Sequence, residues 1–374
     1  MRAAARLALL LAAALPAAGC GSTAAIVGGG SVAGTTRTVY SVLPSPGRGP
    51  ARDMVLGQKL ALQEAGGTAG GYPVSFVSLD ESAADPEALS LRAGVIAEQA
   101  IHDIGTIAIF GGASSEAAMT SIPLIDAAGL LHLLPGAGYP GFTRPGVAPG
   151  EPERWFPSGH PERLVRLVPD DREQARALVA AAVRAAGGGP GRGGRGGGGG
   201  RAGGRPGAAR IAVEHEPSTA SEALAAEVEA AARAAGVRTT GSPAGADAVV
   251  YAGEDPANAA GVADSVTRGG TPIVLPDALV LAGVADRLST SARRRTVLVS
   301  SAPAPGSPAL TALTPGFEAA FGRPPGPYAV IGYEAMKAIL AAIDSAGRHQ
   351  RRQAVVNAFV PPPRRGFSAY RAGR

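Results

Sequence analysis

The sequence predicts an α/β chain made of two doubly wound parallel-sheet lobes, and three observations carry that reading. From Thr38 onward, short β-branched runs alternate with alanine-rich stretches of helical length. Such alternation builds parallel sheets with crossover helices. The runs fall into two sets, one before and one after a long glycine-rich tract, which indicates two sheets rather than one. Of the 374 residues about 350 follow an N-terminal leader, enough for two domains of ordinary size.

In the first set the strand runs are Val39–Leu43, Pro73–Leu79, Thr106–Phe110 and Leu130–Leu134. In the second they are Arg210–Glu214, Ala248–Ala252, Pro272–Leu275 and Thr296–Ser300. Helices are predicted over Asp53–Ala65, Pro86–His102, Ser115–Ala128, Arg172–Ala186, Ser221–Ala235, Pro256–Arg268 and Pro327–Ala346.

Residues 1–20, MRAAARLALLLAAALPAAGC, have the layout of a secretory signal. Arg2 and Arg6 form a basic head, Leu7–Leu15 an apolar run, and small residues lead to Cys20. The run is shorter than the ~20 residues that span a bilayer. Cys20 is the only cysteine, and Ala17-Ala18-Gly19-Cys20 resembles the lipobox of bacterial lipoproteins, with Ala17 where leucine is usual. Lipid attachment at Cys20 is the expectation; an ordinary signal cleaved nearby, leaving a free thiol, is the alternative. Residues 21–37, rich in Gly, Ser, Thr and Ala, read as a flexible tether.

Lys and Arg number 35 against 30 acids, yet only Lys59 and Lys337 are lysines, and without Arg2 and Arg6 the formal charge falls from +5 to +3. The basic residues are scattered or lie in a glycine tract, with no stripe of interleaved aromatics, which argues against nucleic acid as a partner. A single cysteine permits no disulfide within the chain. Residues 187–207 are low-complexity Gly/Arg and read as a disordered surface loop. The tract is not a phosphate loop, because it follows a helix, precedes a strand and lacks a terminal Lys-Ser or Lys-Thr.

Several segments, in shared order from Val39 to about Phe359, resemble type I periplasmic binding proteins of the leucine-binding-protein-like group. Asp80 with Asp85-Pro86 matches the family's punctuation after the second strand. Gly111–Gly138, Arg166–Asp171 with Gln174, Asp247–Gly253, and Pro327-Tyr328-Ala329 with Gly332–Ala335 match further family segments. The resemblance implies two lobes joined by three crossovers, with ligand held in a cleft between them. The expected division is 38–166 with 300–350 for lobe 1, and 167–299 with 351–374 for lobe 2. That placement agrees with the rule that ligands lie beyond the carboxyl ends of parallel strands.

Ser114 and Ser115 stand where a strand gives way to a helix. Free amides and the positive helix end favour an anion there, although a plain N-cap needs no ligand. The family's carboxylate-binding serine falls on Ser115. Gly136 and Gly138 follow the next strand, where the resemblance implies a carbonyl and then a hydroxyl; Gly138 lacks the hydroxyl, and a mere turn is the other reading. Asp277 stands where a family acid pairs with an ammonium group, or else serves as a loop or cap aspartate. Glu254 and Asp255 are within reach of the cleft, or are solvated turn charges. The family's lid aromatic is missing, with Ala220 and Ser221 in its place, a loss of ~1–3 kcal/mol of apolar burial. Tyr139 or Trp155 are candidate substitutes.

The five histidines, His102, His132, His160, His215 and His349, show no metal-ligand spacing, and no nucleophile motif accompanies them. His132 reads as a core residue. The sequence therefore implies no enzyme, no metal and no cofactor. Together with the leader, the resemblance implies an exported, lipid-anchored, monomeric binder of a small polar solute, an amino acid, an amide or similar, with ABC permease subunits as partners. The alternative is a lipoprotein that uses the same fold for sensing or envelope contacts.

Overall fold

The computed structural model describes residues 35–45, 47–187, 209–347 and 351–373. The leader, Cys20, most of the tether and nearly all of the Gly/Arg tract lie outside the described residues. The first lobe opens with β1 (Arg37–Leu43), α1 (Gly49–Glu64), β2 (Thr68–Ala69), β3 (Tyr72–Asp80) and α2 (Pro86–His102). It continues with β4 (Thr106–Phe110), α3 (Ser115–Ala127), β5 (Leu131–Leu134) and β6 (Leu164–Arg166). The second holds α4 (Asp171–Ala185), β7 (Arg210–His215), α5 (Thr219–Ala234), β8 (Arg238–Thr240), β9 (Ala248–Ala252) and α6 (Pro256–Arg268). After these come β10 (Ile273–Leu275), α7 (Asp277–Leu281), α8 (Thr290–Arg295) and β11 (Thr296–Ser300). The chain closes with α9 (Pro308–Phe321), α10 (Tyr328–Ala346), α11 (Arg352–Ala358) and β12 (Ser368–Arg371).

Each lobe carries a six-stranded sheet, ordered β2-β3-β1-β4-β5-β6 and β12-β11-β10-β9-β7-β8. Leaving aside β2 and β12, both sheets are parallel and have the same doubly wound order. The strand order reverses between β1 and β4 in one lobe and between β7 and β9 in the other, and crevices open at such points. The inner strands are buried from end to end, as in β4 and β9, because helices cover both faces.

The sheets are mixed rather than wholly parallel. β2 pairs antiparallel with β3, and β12 with β11. The β2–β3 connection is Gly70-Gly71, both at positive φ, a conformation open to glycine in a two-residue hairpin.

The chain passes between the lobes after β6, after β11 and after α11. Helices α9 and α10 pack on α1, in the first lobe. α11 also packs there, on α10 and β5, so within 351–374 only β12 joins the second sheet. Arg352 accounts for this placement: its guanidinium donates to the carbonyls of Thr106 and Ala128 in the first lobe.

α1 and α10 meet through two glycines. A Cβ at Gly57 would stand 2.0 Å from the Ala329 carbonyl oxygen, and one at Gly332 2.0 Å from that of Met54. The backbones touch because neither residue has a side chain. We expect Gly57→Ala to force the helices apart and destabilise the fold by about 1–3 kcal/mol, as overpacking does. A drop in the urea midpoint of that size checks this.

Candidate functional site

A cleft open to solvent lies between the lobes. Its walls are the carboxyl ends of strands from both sheets: Pro44 after β1, Glu81 after β3 and Ala113 after β4 face Glu216 after β7 and Glu254 after β9. Among the described residues the lining acids are Glu81, Asp85, Glu116, Glu216, Glu254 and Asp255, with Arg287 as the single cation.

The cross-lobe contacts centre on the amino ends of α3 and α5. Ser114 is the N-cap of α3, and its hydroxyl accepts from the Ala117 amide at 3.2 Å. The next two donors of that helix reach across the cleft. The Ser115 amide donates to Glu254 Oε1 at 2.7 Å, and the Glu116 amide to Oε2 at 3.1 Å. The Glu116 side chain returns the contact, accepting from the Ala220 amide of α5 at 3.0 Å. Ser218 caps the Ser221 amide of α5. Each lobe thus gives one carboxyl and one helix end to the other.

Glu254 is fixed from below. Glu216 Oε1 accepts from the amides of both Glu254 and Asp255, the latter at 2.9 Å. Gly253 leaves room for this carboxyl, because a Cβ there would lie 2.1 Å from the same oxygen and displace it. Asp255 turns away as the N-cap of α6, accepting from the amides of Ala257 and Asn258.

The other expected ligand groups are engaged within the chain. The Ser115 hydroxyl accepts from the Tyr139 amide at 3.2 Å, and the residue is buried. At Gly138 the missing hydroxyl is explained, since Asp171 Oδ1 lies 2.0 Å from where a Cβ would stand. The Gly138 carbonyl accepts from the Asp171 amide and, at 3.4 Å, from Arg166. Gly136 packs against the Ala113 carbonyl and Leu281.

Asp277 is not at the cleft surface. It is buried, and its carboxylate accepts from the amide and hydroxyl of Ser301, at 3.0 and 2.5 Å, and from the Tyr328 hydroxyl. Its amide donates to Gln174 at 2.9 Å. Ser301 lies where the chain leaves the second lobe, and Tyr328 opens α10 in the first. Asp277 therefore ties the lobes at the crossing rather than offering an oxygen to a solute.

Tyr139 and Trp155 do not replace the lid either. Both are buried, edge-packed around Phe142 within the first lobe. The Tyr139 hydroxyl donates to Glu151, and Arg154 pairs with that acid and covers the Trp155 ring. His132 is buried in β5, where burial pushes its ring down to about 3 and keeps it neutral. Among the described residues no group of three His, Cys, Asp or Glu could hold a metal ion. Nor is any described helix long and apolar enough to cross a membrane.

Burial raises several acids. Glu81, whose Oε1 accepts from the Ala113 amide at 3.1 Å, is pushed up to about 8, and Asp171 to about 7. At Glu254 burial outweighs the two helix amides, and the carboxyl rises to about 8.

Two lobes of matching topology, hinged by three strands of chain around a cleft at their switch points, define a bilobal solute binder. The chain belongs to the periplasmic binding protein family, whose sequence profile matches residues 41–360. That is a family of binders, not enzymes. The structure resembles the leucine binding protein LivK of Thermotoga maritima, with a TM-score of 0.63, 17% identity and coverage of 86% of each chain. It also resembles an ABC transporter substrate-binding protein of Desulfitobacterium hafniense in complex with Leu, with a TM-score of 0.61, 19% identity, and coverage of 86% of this chain and 88% of that one. A third likeness is to a solute binding protein of R. palustris in complex with benzoate, with a TM-score of 0.60, 18% identity, and coverage of 86% and 85%. A search of curated proteins finds no match.

Glu81 and Asp171 give the fold a defined pH response. Each binds its proton more tightly in the folded than in the unfolded chain. Their contribution is therefore complete below the ordinary carboxylate range and is lost as pH rises through about 7 to 8. Stability should fall between pH 5 and 8, and Glu81→Gln should flatten that fall. Urea unfolding across this range checks both; a flat wild-type profile would refute the assignment.

Proposed function

We propose that the protein is an extracytoplasmic solute-binding component of an ABC importer. In this reading the leader directs export and lipid on Cys20 anchors the chain to the outer face of the cytoplasmic membrane. The two lobes close on a small polar solute and present it to permease subunits. The observation that carries the reading is the cleft itself, walled by strand ends of both sheets at their switch points. Closure needs only that the solute favour the closed state.

A second reading, a lipoprotein that senses or contacts envelope proteins without transporting a solute, has one observation in its favour. Ser115, Gly138 and Asp277, where the resemblance implies ligand contacts, are all engaged by the chain's own groups.

A thermal-shift screen of the chain beginning after Cys20 separates the two, using amino acids, amides, amines, polyols and aromatic acids. A solute at 100 times its Kd should stabilise by ~2.7 kcal/mol. A broad panel that leaves the melting temperature unmoved would rule out the transport reading. For anchoring, Cys20→Ser should move the exported chain from the membrane to the soluble fraction. A membrane fraction unchanged by that substitution would exclude lipid on Cys20.

A further inference from the structure

We propose that Glu254 is a built-in substitute for a solute carboxylate: its carboxyl fills the anion seat at the start of α3 and holds the lobes closed without a solute. The proposal rests on the reading of the cleft as a solute site.

The argument is a count of donors. The first-turn amides of a helix have no partner inside it and must find one elsewhere. In α3, the Ser115 and Glu116 amides go to the two oxygens of Glu254, and the Ala117 amide goes to Ser114. The Ser115 hydroxyl, the remaining group of the seat, is held by the Tyr139 amide. No amide of residues 115–117 is left over for a carboxylate from outside. Two oxygens on adjacent amides is also the arrangement in which a carboxylate sits at a helix end, so Glu254 places its oxygens where those of a solute carboxylate would lie.

Two features show that this arrangement is built in. Glu216 accepts from the backbone amides of both Glu254 and Asp255, and Gly253 leaves room for it, so the loop carrying Glu254 is held at a fixed height. Glu116 makes a single contact in the opposite direction, accepting from the Ala220 amide of α5. The lobes are therefore joined twice, in opposite directions, at their facing switch points. It follows that a solute of this cleft carries no carboxylate, and meets instead the acid-lined remainder of the cavity.

The test uses the chain beginning after Cys20, wild type and the variants Glu254→Ala, Glu254→Gln and Glu116→Ala. Small-angle scattering without solute should give a compact wild type and a larger radius of gyration for Glu254→Ala and Glu116→Ala, with unchanged far-UV circular dichroism. Leucine and benzoate, as carboxylate probes, should leave the wild type unmoved and bind Glu254→Ala at least about tenfold more tightly. If Glu254→Ala does not fold, Glu254→Gln takes its place in the binding arm and Glu116→Ala carries the scattering arm. Variants as compact as the wild type, or a wild type that binds either probe as well as the variant, overturn the proposal. A wild type that no compound of any class stabilises would sink the solute-binding reading instead, while the scattering comparison still decides the role of Glu254.

Discussion

Helix amides that open toward a narrow gap between two bodies must be hydrated, liganded or met from the opposite side. In this protein that requirement falls on α3 and α5, whose amino ends face each other because both sheets reverse their strand order at the cleft. The chain meets it with its own acids. Glu254 and Glu116 cross the gap in opposite senses, and Glu216 sets the height of the loop that carries Glu254. The surrounding composition follows from this use of carboxyls: among the described residues six acids line the cleft against one arginine. Several of these acids lie low enough that burial raises their affinity for protons.

A second constraint acts behind the cleft. Asp277 receives three hydrogen bonds from Ser301 and Tyr328, which belong to the crossing and to the first lobe. A buried carboxylate is stable only when its oxygens are satisfied, and here the groups that satisfy it come from both sides of the hinge. Removing the acid would leave those donors unpaired.

Much of the architecture was legible because its strands are apolar along their length. β1, β3, β4, β5, β7, β9, β10 and β11 all coincide with β-branched or leucine-rich runs. The strands that escaped, β2, β6, β8 and β12, have two to four residues and sit at or near sheet edges. Arg238-Thr239-Thr240 and Ser368–Arg371 are polar or exposed enough to resemble loops, and only pairing with a neighbour makes them strands. α9 escaped for another reason: Pro315 interrupts its pattern. The site was less legible. Glu254 meets Ser115 across 139 positions, and Asp277 is buried by residues 24 and 51 positions away. No local pattern marks such partners, so an acid after a strand looks the same whether it faces solvent, a solute or another helix. The glycine at 138 was the nearest thing to a signal: it marked a departure from the family pattern, and Asp171 fills the space.

The backbone contact of α1 with α10 has a consequence for how such a molecule can diversify. α10 is pinned to the first lobe by Gly57 and Gly332, and its first residue, Tyr328, grips the acid that ties in the second lobe. This joint of α1, α10 and Asp277 stands apart from the carboxyls that cross the cleft, Glu116 and Glu254. The two lobes are thus coupled at two separate levels, and a change at the mouth of the cleft need not reach the joint behind it.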